Sequence, residues 1–326
     1  MEISRRNFIK NVLKLGSGAV ITGALGSLAA CNDQKEPPLP ASSPEPAQKP
    51  VPIPSPSDKA YLAIAHGQNI DSIVQAAIKA LGGMERFVKA GNDVIVKPNI
   101  CVAYHTYEYA ATTNPEVVGA LVNLCIGAGA RRVRVMDQPF GGTDEQAYER
   151  SGIAKAVKEA GGEMEVMSAM KLRDITIPDG RDITKWPIYI DALDTDVLIN
   201  VPIAKHHNLG RLTLGMKNLM GLIKDRGQFH FNLGQRIADL TSLLRPQLTV
   251  VDAVRILTNH GPTGGNLEDV KLMNTIIASH DIVAADAYAA MLFGLTGVDI
   301  PAIRAGVEMG LGTTDLKSVK VEEINV

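Results

Sequence analysis

Cysteine is scarce: the 326 residues contain only Cys31, Cys101 and Cys125. No C-x-x-C pair occurs, so no iron–sulfur cluster held by four thiolates of this chain is expected. The common catalytic signatures are missing too. The sequence has no G-x-S-x-G nucleophile elbow, no P-loop, no G-x-G-x-x-G fingerprint and no H-E-x-x-H helix. Nor is there a surplus of positive charge, since 33 Lys and Arg face 35 Asp and Glu for a formal net of −2. Binding to a phosphate backbone rests on such a surplus, so nucleic acid is not expected as a partner. A long apolar run is also lacking. The mildly apolar stretch 16–30 would span roughly 22 Å as a helix, short of a bilayer core of about 30 Å. What remains is 45% hydrophobic and 21% charged, a composition that buries a core.

The first residues read as an address. Ser4-Arg5-Arg6-Asn7-Phe8-Ile9-Lys10 followed by the Gly-rich run 16–30 has the form of a twin-arginine signal, and Leu28-Ala29-Ala30-Cys31 that of a lipobox. The expectation is a signal peptide over 1–30, export through the twin-arginine translocase, lipidation of Cys31 and a periplasmic or extracytoplasmic protein anchored to a membrane by lipid. Two plainer readings stay open, cleavage after Ala30 with Cys31 incidental and a cytosolic N-terminus with two chance arginines. Nine of the 18 prolines fall between Pro37 and Pro56, so 31–57 reads as a semi-rigid polyproline-like stalk. Without residues 1–30 the chain carries 29 basic and 34 acidic residues, a net of −5. An oxidising compartment permits a Cys101–Cys125 disulfide, but Cys125 sits in a helical apolar pattern, which favours two buried thiols.

From residue 58 to the end, strands alternate with helices. Strands are expected at Tyr61–Ala65, Asp93–Val96, Arg132–Met136, Glu163–Met167, Asp196–Asn200, Leu248–Asp252 and Thr275–Ser279. Asp71 is expected to cap one helix, Asn114-Pro115-Glu116 to open a second, Gly141-Gly142-Thr143 a third running to Gly161, and His280-Asp281 a last one. This rhythm predicts an α/β fold, a largely parallel sheet with helices on both faces, as one large domain or two intimate subdomains. Ligands of such sheets bind beyond the carboxyl ends of the strands. That rule gathers His66, Lys97, Asn99, Asp137, Lys205, His206, Asp252 and His280 on one edge.

The segment 196–226 carries five basic residues against two acidic ones, a local net of +3, with three asparagines and His206-His207 among them. Its lysines suit an anion, and Gly210, Gly215 and Gly221 would let backbone N–H groups approach it. Leu212, Leu214, Met216, Leu219, Met220, Leu222 and Ile223 make the segment apolar on most sides. Lys217 and Asn218 should therefore be at least partly buried, and a buried lysine needs a charged partner or a ligand. An amphipathic helix with solvated lysines is the alternative. The loop Asn259–Gly265, with Gly264 and Gly265, is either an anion cradle or a plain turn.

The ordered blocks VIVKPNI, TTNPEVVGALV, GARRVRVMDQPFGG, VLINVPIAKHH, LTLGMKNLMGLI, LTVVDAV, GPTGG and IIASHDIVAADAYAA resemble the bacterial and archaeal family called domain of unknown function 362, over roughly Tyr61 to Leu311. Some of its members append a ferredoxin-like module whose cysteines are missing here, so the resemblance implies no electron transfer. One departure is Ile282, where a proline is expected after Asp281. A local stretch, His206 or His207 through Gly215-Met216-Lys217, is also similar to the segment of nickel-dependent lactate racemases that holds their nickel-pincer nucleotide. That similarity implies Lys217 as a cofactor anchor and His206 or His207 as acid/base or ligand.

The expected site therefore comprises Lys217, His206 and His207 as catalytic residues and Lys97, Asn99, Lys205, Asn218, Gly264 and Gly265 as binding residues. His206, His230 and Asp137 are the candidate ligands of a divalent metal, imidazole and carboxylate donors without tight spacing. Two classes of function fit. One is an enzyme doing proton or redox chemistry on an anionic small molecule or with a nucleotide-like cofactor. The other is a non-catalytic ligand- or metal-binding or maturation protein of the cell envelope.

Overall fold

The computed structural model describes residues 59–326. The expected signal, Arg5, Arg6, Cys31 and the proline-rich stretch lie outside the described residues.

Among the described residues twelve strands follow in chain order: β1 (Leu62–His66), β2 (Asp93–Pro98), β3 (Arg132–Val135), β4 (Glu163–Met164), β5 (Leu172–Thr176), β6 (Lys185–Tyr189), β7 (Val197–Val201), β8 (Ile203–His207), β9 (Arg211–Thr213), β10 (Leu248–Leu257), β11 (Val270–Ser279) and β12 (Val321–Asn325). Ten of them form one sheet in the order β12-β1-β11-β10-β7-β2-β3-β4, with β8 and β9 branching from β10. Strands β10, β7, β2, β3 and β4 are parallel, as are β1 and β12, whereas β11 runs antiparallel to both its neighbours. The sheet is thus mixed and mostly parallel.

Both faces are covered, which is why the strands read as unbroken apolar runs. Val94, Val96, Val197 and Ile199 pack under α1 (Ile70–Ala80), α2 (Pro115–Gly127), α3 (Asp144–Arg150) and α4 (Ile153–Glu159). Ile95 and Leu198, one residue out of step, face the other way. They meet the layer formed by the short α5 (Gly215–Asn218), α6 (Leu233–Leu244), α7 (Ile282–Met291), α8 (Pro301–Glu308) and the β5–β6 hairpin.

Several expected boundaries move. Asn69, not Asp71, caps α1 by accepting from Ser72 N at 2.8 Å. The helix expected from Thr143 to Gly161 splits in two because Gly152 adopts φ +78°, a left-handed turn that ends one helix and aims the next. Asn114, Pro115 and Glu116 open α2 as expected. At α7 the missing proline costs nothing in definition, since Asp281 accepts from Val283 N at 2.8 Å and Ala284 N at 3.0 Å. Cys101 and Cys125 are both buried and free. Among the described residues no helix is long and apolar enough to cross a membrane.

Candidate functional site

The order of the strands makes the site. The chain passes from β2 outward to β3 and β4, then returns to place β7 on the other side of β2, so a crevice opens at the carboxyl end of β2 where the connections diverge. A cavity of about 420 Å³ lies there, walled by Asn99, Asp137, Lys205, His207, Lys217, Asn218, Arg226 and His230 among others.

At its floor three side chains lock together. Lys97 at the end of β2 is fully buried and gives its three ammonium hydrogens to Asp137 Oδ1 (2.7 Å), Pro98 O (2.9 Å) and Asn218 Oδ1 (3.2 Å). Burial pushes the Lys97 pKa down, and the Asp137 carboxylate pulls it part of the way back. The other oxygen of Asp137 accepts from Ile100 N at 2.6 Å. Asn218 on α5 also receives Asn99 Nδ2 at 2.9 Å and passes its own amide to Asn200 Oδ1 at 2.9 Å. Gly221 lies directly on this pair, so close that a Cβ there would overlap Asp137 Oδ1 and stand 2.7 Å from Lys97 Nζ.

Higher in the wall, Lys205 donates to Asn99 Oδ1 (3.0 Å), Ala111 O (2.5 Å) and Pro262 O (2.9 Å), all neutral acceptors. Arg226 binds Gln138 O at 2.8 Å and Pro139 O at 3.0 Å, neutral again. Lys217, partly buried on α5, has no hydrogen-bond or ion-pair partner among the described residues. Burial, reinforced by the charges of Lys205 and Arg226, drives its pKa down to about 7.

Two imidazoles complete the wall. His207 Nδ1 accepts the backbone N–H of Leu209 and of Gly210, both at 3.1 Å, which fixes the proton on Nε2. Burial and the neighbouring cations lower its pKa to about 3, so it is a neutral donor at ordinary pH. His230 Nδ1 lies 2.6 Å from Arg226 O and must donate to that carbonyl, leaving Nε2 as an acceptor. The two rings stack with centroids 6.4 Å apart and planes 15° from parallel.

The structure thus brings together Lys97, Asn99, Asp137, Lys205, His207, Lys217, Asn218 and His230. It does not bring in the rest. His206 points out of the cavity, because Lys205 and His207 occupy one face of β8 and the residue between them takes the other; its Nδ1 accepts from Gly261 N at 3.1 Å. Gly264 packs beside Leu257 and Gly265 beside His105, away from the cavity, and the loop contributes the Pro262 carbonyl rather than N–H groups. The N–H groups of Gly210 and Gly215 are occupied, by His207 Nδ1 and by Asp286 Oδ1 at 2.6 Å. His206, His230 and Asp137 do not converge, and among the described residues no group of three His, Cys, Asp or Glu side chains is placed to hold a metal. His280 sits at the opposite edge against Tyr61, since β11 runs against the other strands and carries its end away. Asp252 lies inside β10, where it accepts from Asn114 N at 2.7 Å.

Arg226, Asn200 and Cys101, which also lines the cavity and donates its thiol to Pro262 O at 3.4 Å, are not among the expected site residues. Asn200 stands at a strand end like Lys97 and was open to the same rule. Arg226 needed the turn at Asp225 (φ +56°), which swings it back over residues 138 and 139.

Comparison with known proteins gives relatives and a family. The thylakoid-associated protein sll1697 of Synechocystis sp. is 28% identical over 256 residues, covering 74% of this chain and 75% of that protein. A solved structure, the lactate racemase apoprotein from Thermoanaerobacterium thermosaccharolyticum, matches 70% of this chain at 11% identity with a TM-score of 0.42. The chain spans 56% of that protein's length. Residues 94–291, well over half of the chain and the stretch that builds the cavity, match the family described as Domain of unknown function (DUF362), and the chain belongs to that family.

Proposed function

We propose that the cavity binds a small anion, a carboxylate- or phosphate-bearing molecule, through Lys217, Lys205 and Arg226. One observation carries this reading. Three basic side chains line the cavity, while Asp137, the one carboxylate among its described lining residues, is already paired with Lys97. Charge left unbalanced in a partly buried pocket favours an anion, and a phosphate-bearing cofactor would meet the same three basic side chains. His207 and His230 support proton chemistry on the bound molecule, one presenting Nε2–H and the other an Nε2 lone pair.

Calorimetry with oxalate, citrate and inorganic phosphate tests it. At least one of these anions is expected to bind, and Lys217→Ala to weaken it by about ten- to a hundredfold, the worth of a charge-assisted hydrogen bond. Folded protein that binds none of them overturns the reading. Exchange of ligand hydrogen into deuterated water then separates catalysis from simple holding.

We further propose that this site works outside the cytoplasm on a lipid anchor, supported by Arg5-Arg6 and by Leu28–Cys31. Arg5→Lys with Arg6→Lys is expected to trap the protein in the cytoplasm, and Cys31→Ala to release it from membranes. Fractionation that shows neither change refutes the address.

A further inference from the structure

Anion binding alone leaves Lys217 unexplained. A lysine that stays charged in a protein interior is secured by acceptors, as Lys97 and Lys205 are, each with three. Among the described residues Lys217 Nζ has none, although its stem is firmly placed. Gly210 packs on it so closely that a Cβ there would stand 3.3 Å from both Cδ and Cε, and the first turn of α5 is pinned by Asp286 through Gly215 N and Met216 N at 2.6 and 2.9 Å.

We propose that Lys217 is a carbonyl-condensing amine, forming a Schiff base with an aldehyde or ketone that carries a carboxylate or phosphate. The proposal rests on the anion site above, since the charges of Lys205 and Arg226 would attract the acidic group while Nζ meets the carbonyl carbon. The amine lone pair forms the C–N bond as the C=O π pair moves to oxygen. That oxygen then leaves as water with the two amine hydrogens, and C=N remains. His207 Nε2–H can donate a hydrogen bond to the departing oxygen, and His230 Nε2 can relay a proton. The same burial and the same two cations that hold the ligand keep a large fraction of Lys217 uncharged near neutral pH, the state that condensation requires.

The test uses the whole protein with glyoxylate and sodium borohydride, which reduces C=N to a stable amine, followed by peptide mass mapping. In parallel, calorimetry with oxalate reports anion binding without condensation. The expected result is one carboxymethyl group on Lys217, with a yield that rises through pH 7. Lys217 should exceed the exposed Lys155 by at least tenfold, uncharged glycolaldehyde should show no such preference, and Lys217→Arg should abolish the adduct. Oxalate binding with no preferred labelling of Lys217 overturns the Schiff base and leaves the anion site standing. Loss of both removes both readings.

Discussion

Replacing Gly221 with alanine is expected to destabilise the protein by about 3–5 kcal/mol, the range found when one partner of a buried ion pair is lost. The added methyl group would occupy the space of Asp137 Oδ1 and crowd Lys97 Nζ. Neither partner can retreat, because Lys97 is fully buried with all three donors used and Asp137 also holds Ile100 N. Separating them leaves a charge in the core with no water to receive it. Gly227→Ala is the control, since nothing lies within 4 Å of its added carbon. It should stay within about 0.5 kcal/mol of the parent, as surface changes do. Urea unfolding of both variants measures the contrast, and a Gly221→Ala protein as stable as its control would mean the ion pair is not held as described.

Lys217→Met is expected to act in the opposite sense, raising stability by on the order of 3 kcal/mol at pH 7 while weakening anion binding about as much as Lys217→Ala does. Lys217 is a base whose pKa falls from 10.5 to about 7 on folding. A depressed folded value means that stability is fully present above the unfolded pKa and is lost as pH falls from about 10.5 toward 7. The advantage of the methionine variant should therefore be largest at pH 7 and shrink steadily toward pH 10. Denaturation curves at pH 7, 8.5 and 9.5 would show it, and a difference that does not change with pH would mean that Lys217 is solvated. A group that costs stability in the free protein is one that a ligand can repay by binding.

How much of this was readable beforehand depends on the range of the signal. Asn114, Pro115 and Glu116 announce α2 because capping is settled within four residues. The strand-end rule placed Lys97, Asn99, Asp137 and Lys205 together because it depends only on strand direction, which β2, β3 and β7 share. The same rule misplaced His280, since β11 runs the other way and nothing local to Thr275–Ser279 marks that. His206 and His207 were inseparable in the sequence. Alternation along β8 sorts them only once Lys205 is known to face inward.

Periodicity, caps and local charge act within a few residues, so an α/β chain with a basic, glycine-rich segment at 196–226 and lysines that burial would make costly can be read from the residues alone. Which lysine is left over depends on contacts between distant parts of the chain. Lys97 found Asp137, 40 positions away, and Lys205 found carbonyls of residues 111 and 262. Lys217 found no acceptor among the described residues, and that depends on where distant backbone oxygens come to rest, which no local pattern encodes.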